Sequence, residues 1–445
     1  MATEFNPQRE KNRLERLTVE LLERSRAAGA DACEIGASAS LGLEVQARLG
    51  QPEKLEMTRD QSISVTAFVG QSRGTASTTD LSSDAIQKTL QAAVAIARVT
   101  APDPAAKLAT AEQIVQEIPD LQLDHAWNLT PEKALALAIE VEAAGLSQDR
   151  RLTNSDGGSV STTRGVSVHG TTEGLLVSQA SSIHGMSCVL LAEDGDSRER
   201  SYAYTQVRRP DQLRNPQWVG EEAARKTLAR LNPRKCETAE VPVLFVPEMA
   251  SGLLSSVISA ISGGSLYRKS SYLLDRIDTA IFPSWVHLKE QPLLLGAMGS
   301  SAYDGDGLPT REQDIVVDGV LRQYVLSLYS ANRLGLTSTH NAGGVRNLYL
   351  QGSDDFASLL RQMQRGLVVT ELMGQGGNLV NGHYSRGASG FWVENGAIAY
   401  AVNECTVAGN LRDMLRSLIP ANDALPHLSR VVPSLLVEGL TLAGA

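Results

Sequence analysis

The hydrophobic positions of the N-terminal third change from a helical period to a strand period and back. In residues 10–26, leucines recur every three or four positions among charged residues, which predicts an amphipathic helix. Residues 32–48 and 61–79 are richer in Val, Ile, Thr and Ser and are interrupted by glycines, which predicts strands joined by turns. A helical period returns in residues 81–99 and ends before two prolines.

The same order of elements appears a second time. Thr130-Pro131-Glu132 predicts a helix start, with a hydroxyl cap, a proline in the first turn and an acid near the positive end of the helix dipole. Strand-like runs fill residues 151–207, and a helical pattern follows at 218–231. We therefore expect two related α+β lobes, linked by residues 102–124.

The remainder of the chain predicts a β-rich domain. A buried-type strand at 243–246 precedes a helix at 247–262. Gly263-Gly264 directly after this helix predicts its C-cap. From residue 281 onward, short Val/Leu runs alternate with glycine turns, and Asp318-Gly319 predicts a hairpin.

The fold class that these patterns predict is α+β: two related helix–antiparallel sheet–helix lobes followed by a β-rich C-terminal domain. The expected domain boundaries are 1–104 for the N-terminal lobe, 125–235 for the central lobe and 240–445 for the C-terminal domain.

Charge and composition exclude several classes of function. The 445 residues include 41 Lys and Arg against 50 Asp and Glu, a net charge of −9, which disfavours a nucleic acid as partner. No stretch has the roughly 20 consecutive apolar residues of a membrane span, and residues 1–16 lack the apolar core of a signal peptide. The four cysteines are far apart, as is typical of reduced thiols. We expect a cytoplasmic protein.

The residues that usually carry chemistry form no local motif. No two of the seven histidines lie within ten residues of each other, so a zinc site would have to be assembled from distant parts of the chain. Asp304-Gly305-Asp306-Gly307 resembles the start of a calcium loop, but the twelfth position is Ile315, so a tight turn is the better interpretation.

Residues 329–410 concentrate glycine, asparagine and aromatic residues. Glycine in a strand lets another backbone approach closely, so one interpretation is a channel in which an extended peptide adds as a strand. The candidate peptide contacts are Tyr384, Arg386, Phe391 and Trp392. The alternative is that these glycines form the turns of an ordinary β-domain.

Several segments resemble one known family. They are Gly74-Thr75-Ala76-Ser77-Thr78-Thr79-Asp80-Leu81, Gly263-Gly264-Ser265-Leu266-Tyr267-Arg268-Lys269-Ser270, and residues 328–344, 366–376 and 384–396. Over about residues 10–440, the chain resembles the TldD/PmbA family, and within it the PmbA branch, also called TldE. The resemblance implies a protease. In the TldD branch, His-Glu-x-x-x-His begins a helix directly after a strand, and a cysteine near the C-terminus completes a zinc site.

This sequence departs from that zinc motif. Pro247 and Gly252 stand where the two histidines would bind zinc, and neither has a side chain that can do so. Glu248 stands where the glutamate would be the general base, but an acid that stabilises the helix N-terminus is the simpler interpretation. Residues 422–439 contain no cysteine, and Cys405 comes too early in the chain. We therefore expect no catalytic residue and no metal ligand in this chain.

The resemblance then implies a subunit of a cytoplasmic, heterodimeric metalloprotease whose TldD-like partner holds the zinc. The implied substrates are unfolded or modified peptides, as in the maturation of microcin precursors or the degradation of an antitoxin. Two alternatives stay open: an autonomous metallopeptidase with an unrecognised site, and a non-enzymatic homodimer that binds peptides. A homodimer of the isolated chain is also compatible with the subunit role.

Overall fold

The computed structural model describes residues 5–444, so residues 1–4 and 445, which the predicted domains include, lie outside it. Each of the two N-terminal lobes runs helix, three strands, helix, in agreement with the predicted α+β class. The elements of the first lobe are α1 (Pro7–Ala27), β1 (Ala32–Arg48), β2 (Gln51–Val69), β3 (Ser72–Thr78) and α2 (Ser83–Val99). Those of the second are α3 (Pro131–Leu146), β4 (Leu152–Thr171), β5 (Leu176–Asp194), β6 (Ser197–Val207), a single 3₁₀ turn (Pro210–Gln212) and α4 (Pro216–Ala229).

The two lobes share one sheet. Its six antiparallel strands follow the order β3-β2-β1-β4-β5-β6, and β1 and β4 pair in the centre from Glu34 opposite Thr171 to Ala47 opposite Gly158. Alternate residues of β1 are buried. Those from Cys33 to Ala39 pack with α1 and α2, and those from Leu43 to Ala47 pack with α3 and α4. The residues of β1 that pack with the helices all have odd numbers, so their side chains point to the same side of the strand. All four helices therefore cover the same face of the sheet.

The C-terminal domain contains five helices and eleven strands within the described residues. Its elements are β7 (Ala239–Phe245), α5 (Pro247–Ala260), α6 (Gly263–Tyr267), β8 (Leu288–Glu290), β9 (Gln313–Val317), β10 (Val320–Leu321), α7 (Leu328–Leu334), β11 (Leu348–Leu350), α8 (Phe356–Met363), β12 (Gly366–Met373), β13 (His383–Glu394), β14 (Ala397–Asn410), α9 (Leu411–Arg416), β15 (Ile419–Pro420), β16 (Arg430–Val431) and β17 (Leu435–Ala443). The strands make a five-stranded sheet, β10-β9-β8-β11-β16, and a six-stranded sheet, β14-β13-β12-β7-β17-β15. In the second sheet β14 also pairs with β17, so the sheet closes on itself.

Strand β7 shows how this closed sheet is packed. Val243 and Phe245 point to the face that α5 covers with Leu253, Leu254 and Val257. Leu244, between them, points to the other face and packs with Leu359, Leu360 and Met363 of α8. The strand is therefore buried on both faces, which explains its continuous run of apolar residues.

Two of the glycine predictions have different outcomes. The hairpin at Asp318-Gly319 is confirmed: both residues have positive φ, as a two-residue turn of type I′ requires. The predicted C-cap at Gly263-Gly264 is wrong, because α5 ends at Ala260 and these glycines begin α6. A Cβ on Gly263 would collide with the side chain of Ser330, so close packing against α7 accounts for this glycine.

The segment between the lobes, residues 102–124, is a strap that ties them to the C-terminal domain. The backbone N–H of Val115 donates to the carbonyl oxygen of Gly307 at 2.9 Å. The Tyr329 hydroxyl donates to Asp103 at 2.8 Å, and the Asn332 amide donates to the Ala105 carbonyl at 3.0 Å. Among residues 5–444, no helix is both long enough and apolar enough to cross a membrane.

Asp306 lies where the C-terminal domain meets the helix-free face of the shared sheet. Its turn begins at Asp304, whose carbonyl accepts the N–H of Gly307 at 3.0 Å. Burial raises the pKa of Asp306 to about 6, helped by the charges of Asp304 and Glu34 and opposed by the N–H that Leu328 donates at 2.7 Å. This carboxylate is therefore costly to ionise at neutral pH.

The contact between α3 and α4 predicts a large effect from a small substitution. A Cβ on Gly220 would lie 2.6 Å from the backbone nitrogen of Gly145 and 2.8 Å from the Cβ of Ala144. We expect Gly220→Ala to lower the free energy of unfolding by about 2 kcal/mol, because the helices would have to separate. Gly252→Ala is the matched control, since a Cβ on this exposed helical glycine would have no neighbouring atom within 4 Å. It should raise stability by about 0.5–1 kcal/mol in urea titrations. Equal effects of the two substitutions would contradict the packing argument.

The raised pKa of Asp306 predicts a pH-dependent effect on stability. An unfolded aspartate titrates near pH 4, so between about pH 4 and 6 the folded state binds more protons, and stability falls as the pH rises through this range. Asp306→Asn, whose carbonyl oxygen can still accept the Leu328 N–H, should raise the free energy of unfolding by about 2–3 kcal/mol at pH 8. The gain should shrink toward pH 4. The control is Asp314→Asn, because Asp314 is exposed. It should change the free energy of unfolding by less than about 0.5 kcal/mol at every pH.

Candidate functional site

A cleft of about 290 Å³ opens beside the first turn of α5, between the shared sheet and the C-terminal domain. Strand β6, helix α5 and the segment before β16 form its walls. The lining residues are Tyr204, Gln206, Glu248, Ser251, Met298, His427, Leu428, Ser429 and Arg430. It therefore includes the position at which the family resemblance places the general base.

The local sequence explains why α5 begins at this point. Strand β7 ends with Phe245, Val246 is the extended N-cap residue, and Pro247 occupies the first helical position, where its missing N–H costs nothing. The Val246 carbonyl accepts N–H groups from Met249 and Ala250 at 2.9 and 2.8 Å. Glu248 follows in the first turn, where its charge is favourable to the helix dipole.

Glu248 faces three charged or titratable groups. Its carboxylate lies 3.9 Å from Nζ of Lys226. Burial lowers the pKa of His427, the charge of Arg214 lowers it further, and Glu248 opposes both. Burial raises the pKa of Tyr204, and Glu248 contributes in the same direction. The imidazole of His427 is therefore neutral at pH 7, in the same cleft as the Glu248 carboxylate.

Sequence reasoning did not assign a role to His427. The only available signal was its position within residues 422–439, the stretch in which the resemblance places the third zinc ligand. No local spacing links it to Glu248, because 178 residues of the chain separate the two and only the fold brings them to one cleft.

The residues of this cleft do not fit a zinc ion. Pro247 is buried and has no donor atom, and Gly252 has no side chain, although there is room for one. The cleft offers one carboxylate, from Glu248, and one imidazole, from His427. Zinc in proteins takes three or four ligands. Throughout the described part of the chain, no group of three or more His, Cys, Asp or Glu side chains is arranged to hold a metal ion.

The candidate peptide contacts differ in accessibility. Tyr384 and Trp392 are each only 4% exposed and belong to the core of the C-terminal domain; the Tyr384 ring packs edge-on against Phe245. Arg386 and Phe391 are half-buried, and the Arg386 guanidinium donates to the carbonyl of Leu372 at 3.3 Å. Peptide contact by these four residues stays a prediction, and it would require Tyr384 and Trp392 to become accessible.

Three sequence profiles of PmbA/TldA metallopeptidase domains match this chain: domain 1 at residues 33–97, the central domain at 124–231 and the C-terminal domain at 238–444. The metalloprotease PmbA of Escherichia coli O157:H7 is 43% identical over 416 residues, which cover 93% of this chain and 92% of that protein. A PmbA homologue of Haemophilus influenzae is also 43% identical, over 94% of this chain and 93% of its own length. A TldD homologue of the same Haemophilus strain is 21% identical over 65% of this chain and 64% of its own length.

Solved structures share the fold. A crystal structure from Bacteroides thetaiotaomicron, of a protein described as a candidate modulator of DNA gyrase, has a TM-score of 0.91 and 25% identity. It covers 97% of this chain and 99% of that one. The TldE structure from Thermococcus kodakarensis has a TM-score of 0.82 at 19% identity, covering 96% of this chain and 99% of its own. The second likeness concerns the fold alone.

The surroundings of His427 predict opposite effects of two substitutions. Glu248→Gln removes the charge that favours the imidazolium, so it should lower the pKa of His427 further. Arg214→Gln removes a repelling charge, so it should raise this pKa. Both changes can be followed by NMR titration of the imidazole C–H resonance. The control is Glu173→Gln, since Glu173 is not among the charges acting on His427, and it should leave the midpoint unchanged. Shifts of the same sign for Glu248→Gln and Arg214→Gln would refute this electrostatic description.

Proposed function

This chain belongs to the PmbA/TldD family of metallopeptidases, in its PmbA (TldE) branch, and on that basis we propose that it is the zinc-free subunit of a cytoplasmic, two-chain peptidase. In this proposal, a TldD-like chain supplies the metal and the general base. The substrates are unfolded or modified peptides. This chain completes the chamber around the partner's active site and stabilises the partner.

The observation that carries the proposal is the start of α5. The helix itself is retained, with Leu253, Leu254 and Val257 buried against β7. The positions from which the resemblance expects metal ligands hold Pro247 and Gly252, which have no ligand atoms in their side chains. A chain that keeps the supporting helix and lacks the ligands is suited to a structural role in an assembly whose chemistry lies in another subunit.

Glu248 has a structural explanation that needs no catalysis. It lies in the first turn of α5 and within ion-pair distance of Lys226. A general base in a metallopeptidase acts on a metal-bound water, and the cleft residues do not fit a metal. In the proposed assembly, Glu248 contributes to the stability of the helix start.

A TldD-like partner is supported by the relatives. Haemophilus influenzae has both a PmbA homologue, which matches nearly the whole of this chain, and a TldD homologue, which matches about two thirds of it. Two chains of related fold in one organism are suited to an interface between similar surfaces, which also explains why the isolated chain could form a homodimer.

Reconstitution tests this function. The isolated chain should bind no stoichiometric zinc by elemental analysis and should not cleave unfolded peptides, whereas an equimolar mixture with the TldD-like protein should do both. Glu248→Gln in this chain should change kcat/KM of the mixture less than about threefold. Replacing the motif glutamate of the partner with glutamine should lower it by at least about 10²-fold, the usual size of a general-base contribution.

The rival functions predict different results. An autonomous peptidase would cleave peptides when purified alone, with zinc present and with activity sensitive to Glu248→Gln. A peptide-binding homodimer would form no 1:1 complex with the TldD-like protein by light scattering. Either result would overturn the proposal.

A further inference from the structure

A second cavity, of about 240 Å³, lies in the C-terminal domain between residues 272–281 and α9. None of the residues that line it also lines the cleft beside α5. Its lining residues are Tyr272, Leu273, Arg276, Thr279, Ala280, Ile281, Arg412, Asp413, Leu415 and Arg416.

The cavity carries an excess of positive charge. Arg276 faces it from one wall, and Arg412 and Arg416 face it from α9, against a single acid, Asp413. Within residues 5–444, none of the three guanidinium groups forms a salt bridge, in contrast to Arg164, which pairs with Asp124 at 2.6 Å. Arg412 and Arg416 are also four residues apart on one helix, a spacing at which like charges repel. An anion in the cavity would relieve this repulsion.

Tyr272 holds one of these arginines in place. The Arg412 guanidinium carbon lies 5.8 Å from the centroid of the Tyr272 ring, within the range of a cation–π contact. The ring is only 3% exposed, and its hydroxyl has no hydrogen-bond partner among the described residues. Burial raises the pKa of Tyr272, so the phenol stays neutral and does not offset the cationic charge.

The rest of the wall is aliphatic. Leu273, Ile281 and Leu415 are buried side chains that form part of the lining, together with Ala280. A wall that combines guanidinium groups with aliphatic surface matches an anion attached to an apolar group, since arginine binds carboxylates through two parallel hydrogen bonds. A small, strongly hydrated ion such as phosphate would gain nothing from the aliphatic part.

We propose that this cavity binds the C-terminal carboxylate of a peptide whose last residue is apolar. The three arginines neutralise the carboxylate, and the aliphatic wall covers the last side chain. The inference rests on the proposed function only in its choice of a peptide as the ligand. It would give the subunit a part in holding the substrate end while cleavage takes place in the partner.

Calorimetric titration of the isolated full-length chain tests this binding without any turnover. The probe is acetyl-Ala-Leu with a free carboxylate, compared with its C-terminal amide. The free acid should bind at least about tenfold more tightly, as expected for the loss of one charge-assisted hydrogen-bonded pair. The double variant Arg412→Gln/Arg416→Gln should lose this preference. The matched control is Arg198→Gln/Arg225→Gln, which removes two exposed arginines from β6 and α4 and should keep it.

Three results would overturn the inference: equal affinity for the acid and the amide, an unchanged preference in the Arg412/Arg416 variant, or displacement of the peptide by an equal concentration of inorganic phosphate. Because both arginines are exposed, the variant should fold normally, which melting curves check. The outcome is independent of assembly with a TldD-like chain. If the chain binds the free acid selectively but does not form a complex with the TldD-like chain, only the subunit proposal is refuted.

Discussion

The pairing of β1 with β4 is the interaction on which the rest of this architecture depends. The two strands come from different lobes, yet they are hydrogen-bonded neighbours from Glu34 opposite Thr171 to Ala47 opposite Gly158. This pairing joins two three-stranded units into one sheet and directs all four lobe helices to one face. The opposite face is left for the C-terminal domain. The cleft beside α5 exists because β6, at one edge of this sheet, lies against that domain.

Helix α5 is held in place without any metal ligand in its first turn. The residues that keep α5 in place are the proline at its first position and the apolar side chains packed on β7. None of them is a metal ligand. Because folding energy comes from this buried face and not from the cleft, ligand positions can hold Pro247 and Gly252 without loss of the fold.

The two concave sites differ in electrostatic character within a chain of net charge −9. The cleft contains Glu248 beside a neutral imidazole, and Lys226 compensates its charge. The cavity at α9 contains three arginines and one acid. The net charge of the chain therefore does not determine the chemistry of a site, since fields at short range depend on the few groups that face one space.

Much of the candidate site depends on long-range contacts. The family resemblance located the segment from Pro247 to Gly252, because the motif that it implies begins a helix directly after a strand, which is a local pattern. Sequence reasoning gave no role to His427 or to the arginine cavity, whose members come from positions between 272 and 416. It also selected Tyr384 and Trp392 from a region rich in aromatic and glycine residues, whereas the fold buries both rings. Composition does not distinguish an aromatic residue in a binding channel from one in a core.

What the sequence determined by itself is the order of helices and strands in the two lobes, the hairpin at Asp318-Gly319 and the absence of ligand side chains at Pro247 and Gly252. Each of these depends on the spacing or identity of neighbouring residues. Only the tertiary structure decided that the two lobes share a sheet, that Gly263 is needed for close packing against Ser330, and that His427 and Glu248 line the same cleft. The physical reason is that periodicity along the chain specifies which face of an element is apolar, but not which distant element covers it.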